Sequence, residues 1–177
     1  SPVNRVMAYS RAKTHALLEI LRAETRVLGE RIRAVVVADY EKTSAVTAEI
    51  GHLLDEEAGW AIAAFRAVLS DPETDALDPV LVTGSTVLVD DDLAPRFIEK
   101  SREWLAKEGL DLQLACTEQQ GLHMFTGEGE LWCPRVYVSM ITHMFEQGAT
   151  RCLVGTRGLL GEGWDAPKAN VLVSLPA

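Results

Sequence analysis

Arg151-Cys-Leu-Val-Gly-Thr-Arg-Gly-Leu-Leu-Gly-Glu-Gly-Trp-Asp-Ala-Pro-Lys-Ala-Asn-Val-Leu-Val-Ser-Leu175 holds two short runs rich in apolar and β-branched residues, Arg151–Thr156 and Asn170–Leu175. A glycine-rich turn joins them. Runs of this kind without polar alternation suit strands buried on both faces of a parallel sheet.

The same signature recurs upstream. Arg33-Ala-Val-Val-Val-Ala-Asp39 is a second continuously apolar run, and Val80-Leu-Val-Thr83, ending in Gly84-Ser85-Thr86, is a third. Leu110–Cys116 reads as a further strand. Between these lie segments with helical spacing. Ala8–Leu28 carries Ala16, Leu17, Ile20, Leu21, Val27 and Leu28 on one face, with Gly29 as its stop. Thr43 and Ser44 are placed to cap a helix running through Leu53, Trp60, Ile62, Phe65 and Leu69 until Asp71-Pro72 breaks it. Asp90-Asp91-Asp92 leads into a helix over about Ala94–Glu108, and Tyr137–Gln147 is followed by the breaker Gly148. Thr117–Pro134 is polar, holds three glycines and reads as an irregular surface excursion. Strands alternating with helices predict an α/β fold, a parallel sheet covered by helices on both faces, with residues 1–177 as one domain.

Composition narrows the function classes. At 177 residues and 47% hydrophobic, the chain can bury a sizeable core. Its net charge of -9 is concentrated in residues 71–177, which carry eight Lys/Arg against seventeen Asp/Glu. That excludes broad electrostatic adhesion to nucleic acid, which needs a basic face to displace counterions, and leaves only local contacts. Cys116, Cys133 and Cys152 are odd in number and contain no CxxC pair, so neither a disulfide framework nor a zinc knuckle is signalled, and a reducing cytoplasm is expected. No apolar run reaches the ~20 residues that span a bilayer, so no membrane partner is expected. His15, His52, His123 and His143 have no second histidine at metal-ligand spacing. Asp90–Asp92 reads as a solvated helix N-terminus, with Mg²⁺ binding as the alternative.

In open α/β sheets ligands gather beyond the carboxyl ends of the strands, where this sequence places Thr156, Arg157, Glu162, Gly163 and Asp165. Small residues let backbone amides approach an anion, and a carboxylate accepts a sugar hydroxyl. The run Leu160-Gly-Glu-Gly-Trp-Asp-Ala-Pro167 resembles motif V of superfamily 2 helicases, and is similar to the type III restriction and DEAD/DEAH-like branches. Ala34–Asp39 stands where motif IV would, Val80–Gly84 where the motif IVa strand would, and Tyr137–Gly148 where the helix before motif V would. The resemblance covers roughly residues 30–177 and implies a C-terminal RecA-like (P-loop NTPase-type) domain. It implies that Gly163 lines the nucleotide cleft, that Asp165 holds the ATP ribose or couples to the partner domain, and that Glu162 fixes the turn. Thr156 would contact a nucleic-acid phosphate; the interval from Thr156 to Gly163 is one residue longer than in many relatives, which makes Arg157 the alternative contact. Asp39, Tyr40 and Lys42 in one loop, and Thr83, Gly84 and Ser85 in another, would face a DNA or RNA strand.

The segment contains no G-x-x-x-x-G-K-[ST] loop. The resemblance therefore assigns ATP hydrolysis, and most of the hold on Mg²⁺, to a preceding N-terminal RecA-like domain, and the arginine-bearing motif VI to chain beyond Ala177. The expectation is a second motor domain of an ATP-dependent helicase or translocase, with no catalytic residue and no resident metal of its own and no ATP turnover in isolation. A non-catalytic RecA-like protein-interaction module is the alternative. A stand-alone enzyme for a phosphorylated small molecule is disfavoured because neither G-x-G-x-x-G nor a nucleophile–base pair is visible.

Overall fold

Ala34–Ala38 (β1) is buried at all five positions because it runs between two parallel neighbours. Cys152–Thr156 (β6) lies on one side and Val171–Leu175 (β7) on the other. Successive side chains of β1 enter opposite cores: Ala34, Val36 and Ala38 one, Val35 and Val37 the other. The computed structural model describes residues 2–38, 59–161 and 163–175.

Val80–Val82 (β2) joins β6 in parallel, so β7, β1, β6 and β2 form a four-stranded parallel core. The first face is covered by Pro2–Leu28 (α1), through Leu17 and Leu21, and by Gly59–Ser70 (α2), through Trp60, Ile62, Phe65 and Val68. Asp71 then ends α2 and caps Pro72–Asp75 (α3), its Oδ1 accepting from the Glu73 amide at 2.8 Å while its other oxygen pairs with Arg22 of α1. The second face is covered by Ala94–Lys107 (α4) and Pro134–Gln147 (α5), with Phe97, Leu105, Tyr137, Met140 and Phe145 buried. Gly29 and Gly148 close α1 and α5 in left-handed conformations, as their positions in the sequence predict. No helix among the described residues is long and apolar enough to cross a membrane.

Three features differ from the sequence expectation. The sheet is mixed, with order β4-β5-β3-β2-β6-β1-β7: Val87–Asp90 (β3), Leu122–Gly127 (β5) and Leu114–Gln119 (β4) extend the parallel core antiparallel. β2 therefore turns back through Thr83–Thr86 into a hairpin, closed by the Thr83 amide donating to the Thr86 carbonyl at 2.8 Å, before the chain reaches α4. Thr117–Gly127, expected to be irregular, is paired strand. Gln120 and Gly121 make its two-residue turn with φ of +53° and +76°, the double positive φ that tight hairpins require. The strand expected at Leu110–Cys116 starts at Leu114. The Thr43/Ser44 cap and Leu53 lie outside the described residues.

Candidate functional site

The parallel register decides which loops meet. Val82 stands opposite Gly155, and Ala38 opposite both Thr156 and Leu175, so β2, β6, β1 and β7 end at one level. Thr83, Gly84 and Ser85 thereby lie beside Thr156 and Arg157 along the carboxyl edge of the sheet. Thr83 is fully buried: its Oγ1 accepts from the Ser85 amide at 3.3 Å, and its carbonyl accepts from the Tyr137 hydroxyl at 2.6 Å. Thr83 thus shapes the turn, and the atoms offered to a ligand belong to exposed Gly84 and Ser85. Thr156 is nearly buried and precedes a single helical turn, Arg157–Leu160 (α6). The exposed Arg157 reaches across to β7, where its Nη2 donates to Ser174 Oγ at 3.2 Å.

Close packing explains the glycine before Thr156. A Cβ on Gly155 would stand 2.6 Å from the Val82 carbonyl oxygen and 2.6 Å from Leu160 Cδ1, so only glycine lets β2, β6 and α6 approach this closely. Gly161 is forced in the same way, by the Arg157 carbonyl oxygen.

From Gly161 the chain descends along α5 to the opposite end of the sheet. The Trp164 indole Nε1–H donates to Thr142 Oγ1 at 3.0 Å and its ring lies against Phe145, so this tryptophan packs under the loop instead of presenting a stacking face. The Lys168 amide donates to the Glu146 carboxylate at 3.1 Å. Asn170 then docks the start of β7, accepting from the Arg33 amide at 2.7 Å and donating to the Arg31 carbonyl at 2.8 Å. Gly163 and Asp165 sit on this descent, both exposed, with Gly163 at φ +88° and open space where a side chain would stand.

Of the residues singled out in the sequence, the structure therefore gathers Thr83, Gly84, Ser85, Thr156 and Arg157 at one edge, and carries Gly163 and Asp165 on the adjoining loop. Asp39, Tyr40, Lys42 and Glu162 lie outside the described residues.

The fold also brings together groups that the sequence reading took singly or not at all, Asp75 joining the Asp90–Asp92 run among them. A cavity of about 690 Å³ opens at the amino-terminal end of the sheet, lined among others by Arg33, Arg96, Lys100, Trp104, His143 and Arg151, away from the carboxyl edge. Ion pairs already occupy part of it, since Arg96 binds Asp78 at 2.7 Å. Asp90 accepts from the Leu93 amide at 3.2 Å at the entry to α4, and Asp75, Asp90 and Asp92 bring carboxylate oxygens within 4.8 Å of one another. Burial, a hydrogen bond with Asp90 and the charges of Asp90, Asp92 and Asp78 push the Asp75 carboxyl up to about 6. His123 links Asp91 to Cys116, so a nucleophile–base pair that the sequence does not display is present in the fold. The signal that could have located it is Gln120-Gly121: a two-residue turn there sets Cys116 diagonal to His123. Comparison of the chain with protein-family models, with curated proteins and with solved structures finds no match in any of the three.

Proposed function

We propose that this domain is the C-terminal RecA-like motor domain of an ATP-dependent nucleic-acid helicase or translocase, and that the carboxyl edge of its sheet is the track for a DNA or RNA strand. The observation that carries the reading is the alignment of Val82 with Gly155, which sets the Gly84–Ser85 turn beside Thr156 and Arg157. A hydroxyl, backbone amides and a guanidinium at one level suit the phosphates of an extended strand. The short reach of this array fits a chain whose net charge of -9 forbids a broad basic footprint.

ATP, with Mg²⁺, would bind between this domain and a preceding RecA-like domain and supply the phosphoanhydride bond whose hydrolysis drives the motor. Asp165 and Gly163 fit such a cleft, being an exposed carboxylate able to accept ribose hydroxyls and a glycine with no neighbour where a side chain would stand. Their part is binding and orientation; hydrolysis belongs to residues this segment lacks, so the chain alone turns over no ATP. Detectable ATPase activity lost on Asp165→Ala would contradict that.

A second reading, a protein-interaction module, is favoured by one observation: among the described residues β4 is an exposed outer strand with no neighbour on one side, able to accept a partner strand there. Binding of fluorescent single-stranded DNA and RNA oligonucleotides at low salt separates the two. The motor reading expects Ser85→Asp and Arg157→Glu each to weaken binding by about tenfold, a ~1.4 kcal/mol effect. Equal affinity of both variants and the wild type removes the track from this edge.

A further inference from the structure

Cys116, His123 and Asp91 come from three segments of the antiparallel extension. Because Glu118 stands opposite His123 and Cys116 opposite Phe125, Cys116 and His123 are diagonal neighbours on one face of the β4–β5 hairpin. His123 Nε2 lies 2.5 Å from Asp91 Oδ1, and His123 Nδ1 lies 3.3 Å from Cys116 Sγ. An ionised carboxylate only accepts hydrogen bonds, so Nε2 carries the ring proton and Nδ1 turns its lone pair toward the thiol. The ring turned over would set carbon atoms against both partners. The order is nucleophile, base and orienting carboxylate. Cys116 and Asp91 are exposed, whereas the His123 side chain is only 19% exposed, so the base is held while the sulfur stays accessible.

Burial and the neighbouring Glu118 raise the Cys116 thiol above its ordinary range, so little thiolate exists at neutral pH and reaction requires a base to remove the proton. Among the described residues, the titratable groups recorded against the thiol are Glu118 on its own strand, His123 on β5 and, behind His123, Asp91 after β3. The other two cysteines serve as internal references: Cys152 is fully buried with its thiol pushed up to about 12, and Cys133 is half-buried at the start of α5.

We propose that Cys116 is a site of reversible mixed-disulfide formation with small disulfides, with His123 as its base and Asp91 as the residue that positions the base. In the step, the S–H bond of Cys116 breaks and the proton passes to His123 Nδ1. The sulfur attacks one sulfur of the incoming disulfide, forming a new S–S bond as the old one breaks. The bonding pair leaves on the departing sulfur, which takes the proton from His123 and departs as a thiol. Cys116 is oxidised and the departing sulfur reduced. Exchange of this kind needs an accessible sulfur and a place for the proton, and Cys116 has both. Glu118 and Asp91 make the surroundings negative, so a cationic disulfide is favoured over a neutral one of similar size.

The test is the rate at which the full chain is modified by cystamine and by 2-hydroxyethyl disulfide, followed by mass spectrometry of peptides bearing each cysteine. The expected result is that Cys116 reacts first, that cystamine reacts faster than the neutral disulfide at low salt, and that the Cys116 rate rises less than about tenfold per pH unit through neutrality. His123→Ala should slow it by about tenfold or more and leave a rate proportional to hydroxide. Asp91→Asn should slow it less, and Asp91→Glu should restore part of the loss, with circular dichroism unchanged. A Cys116 rate unaffected by His123→Ala would overturn the proposal. So would a wild-type rate that rises about tenfold per pH unit through neutrality, a measurement that needs no variant.

Discussion

Replacing Gly155 by alanine tests the packing that holds the carboxyl edge together. The new Cβ would meet the Val82 carbonyl oxygen at 2.6 Å and Leu160 Cδ1 at 2.6 Å, about 1 Å inside the ~3.5–4.0 Å of favourable contact. The Leu160 side chain is packed in the second core at 4% exposure, and the Val82 carbonyl belongs to the β2 backbone beside β6, so neither neighbour yields freely. Overpacking of this kind costs about 1–3 kcal/mol, and with a backbone atom on one side the upper half, about 2–3 kcal/mol, is expected. For a domain of this size that is a loss of roughly 5–10 °C in Tm. Urea unfolding followed by far-ultraviolet circular dichroism reads it as a lower midpoint at unchanged slope. Gly84→Ala is the control: nothing lies within 4 Å of its added Cβ, and it should stay within about 0.5 kcal/mol of wild type. A Gly155→Ala chain as stable as the control would refute the close β2–β6–α6 approach and the alignment of Thr83 with Thr156 that depends on it.

Two further consequences concern the same framework. Tyr137→Phe removes the 2.6 Å hydrogen bond to the buried Thr83 carbonyl and should cost about 1–2 kcal/mol in urea unfolding, with faster amide exchange in the 83–86 turn; unchanged stability and exchange would contradict this anchor. Asp75 has a folded-state carboxyl raised to about 6 from an ordinary 3.8, so the folded protein binds that proton more tightly than the unfolded chain. Its contribution to stability therefore declines as pH rises from about 4 to about 6 and stays unfavourable above. Asp75→Asn should stabilise the protein at pH 7 and confer no such gain at pH 4, and a gain of the same size at both would contradict the charge crowding by Asp90 and Asp92.

The parallel core was legible because burial on both faces writes itself as unbroken apolar runs, as in Ala34–Ala38. Gly29 and Gly148 marked helix ends for a simple reason: both adopt positive φ. The β4–β5 hairpin escaped because hydrophobic periodicity reports burial, and β4 is a solvated outer strand whose side chains are all exposed or half-buried. Only the start of β4, within the Leu110–Cys116 run, was read as strand, and the mark of the hairpin itself was the Gln120-Gly121 turn. β3 was hidden by its brevity: its readable mark, Gly84-Ser85 between two apolar runs, stands at the end of β2, where a parallel pattern places a ligand loop, and Thr83, Ser85 and Thr86 close that turn with their own hydrogen bonds. The meeting of Thr83, Ser85 and Thr156 was legible because parallel strands end at a common level. Thr83 itself is consumed in shaping the turn, which residue type alone does not reveal. Trp164 packs as a tryptophan in such a loop ordinarily does. The Cys116–His123–Asp91 array joins three segments, so it appears only once the antiparallel extension is in place.

The most direct test of the proposed nucleic-acid track is a titration of the ¹⁵N-labelled chain with a single-stranded oligonucleotide at low salt, read residue by residue in amide spectra. The largest shifts should fall on Gly84, Ser85, Thr156 and Arg157, fade with added salt, and leave β4 unmoved. Shifts centred on the 690 Å³ cavity at the opposite end of the sheet, or none at millimolar oligonucleotide, would contradict it.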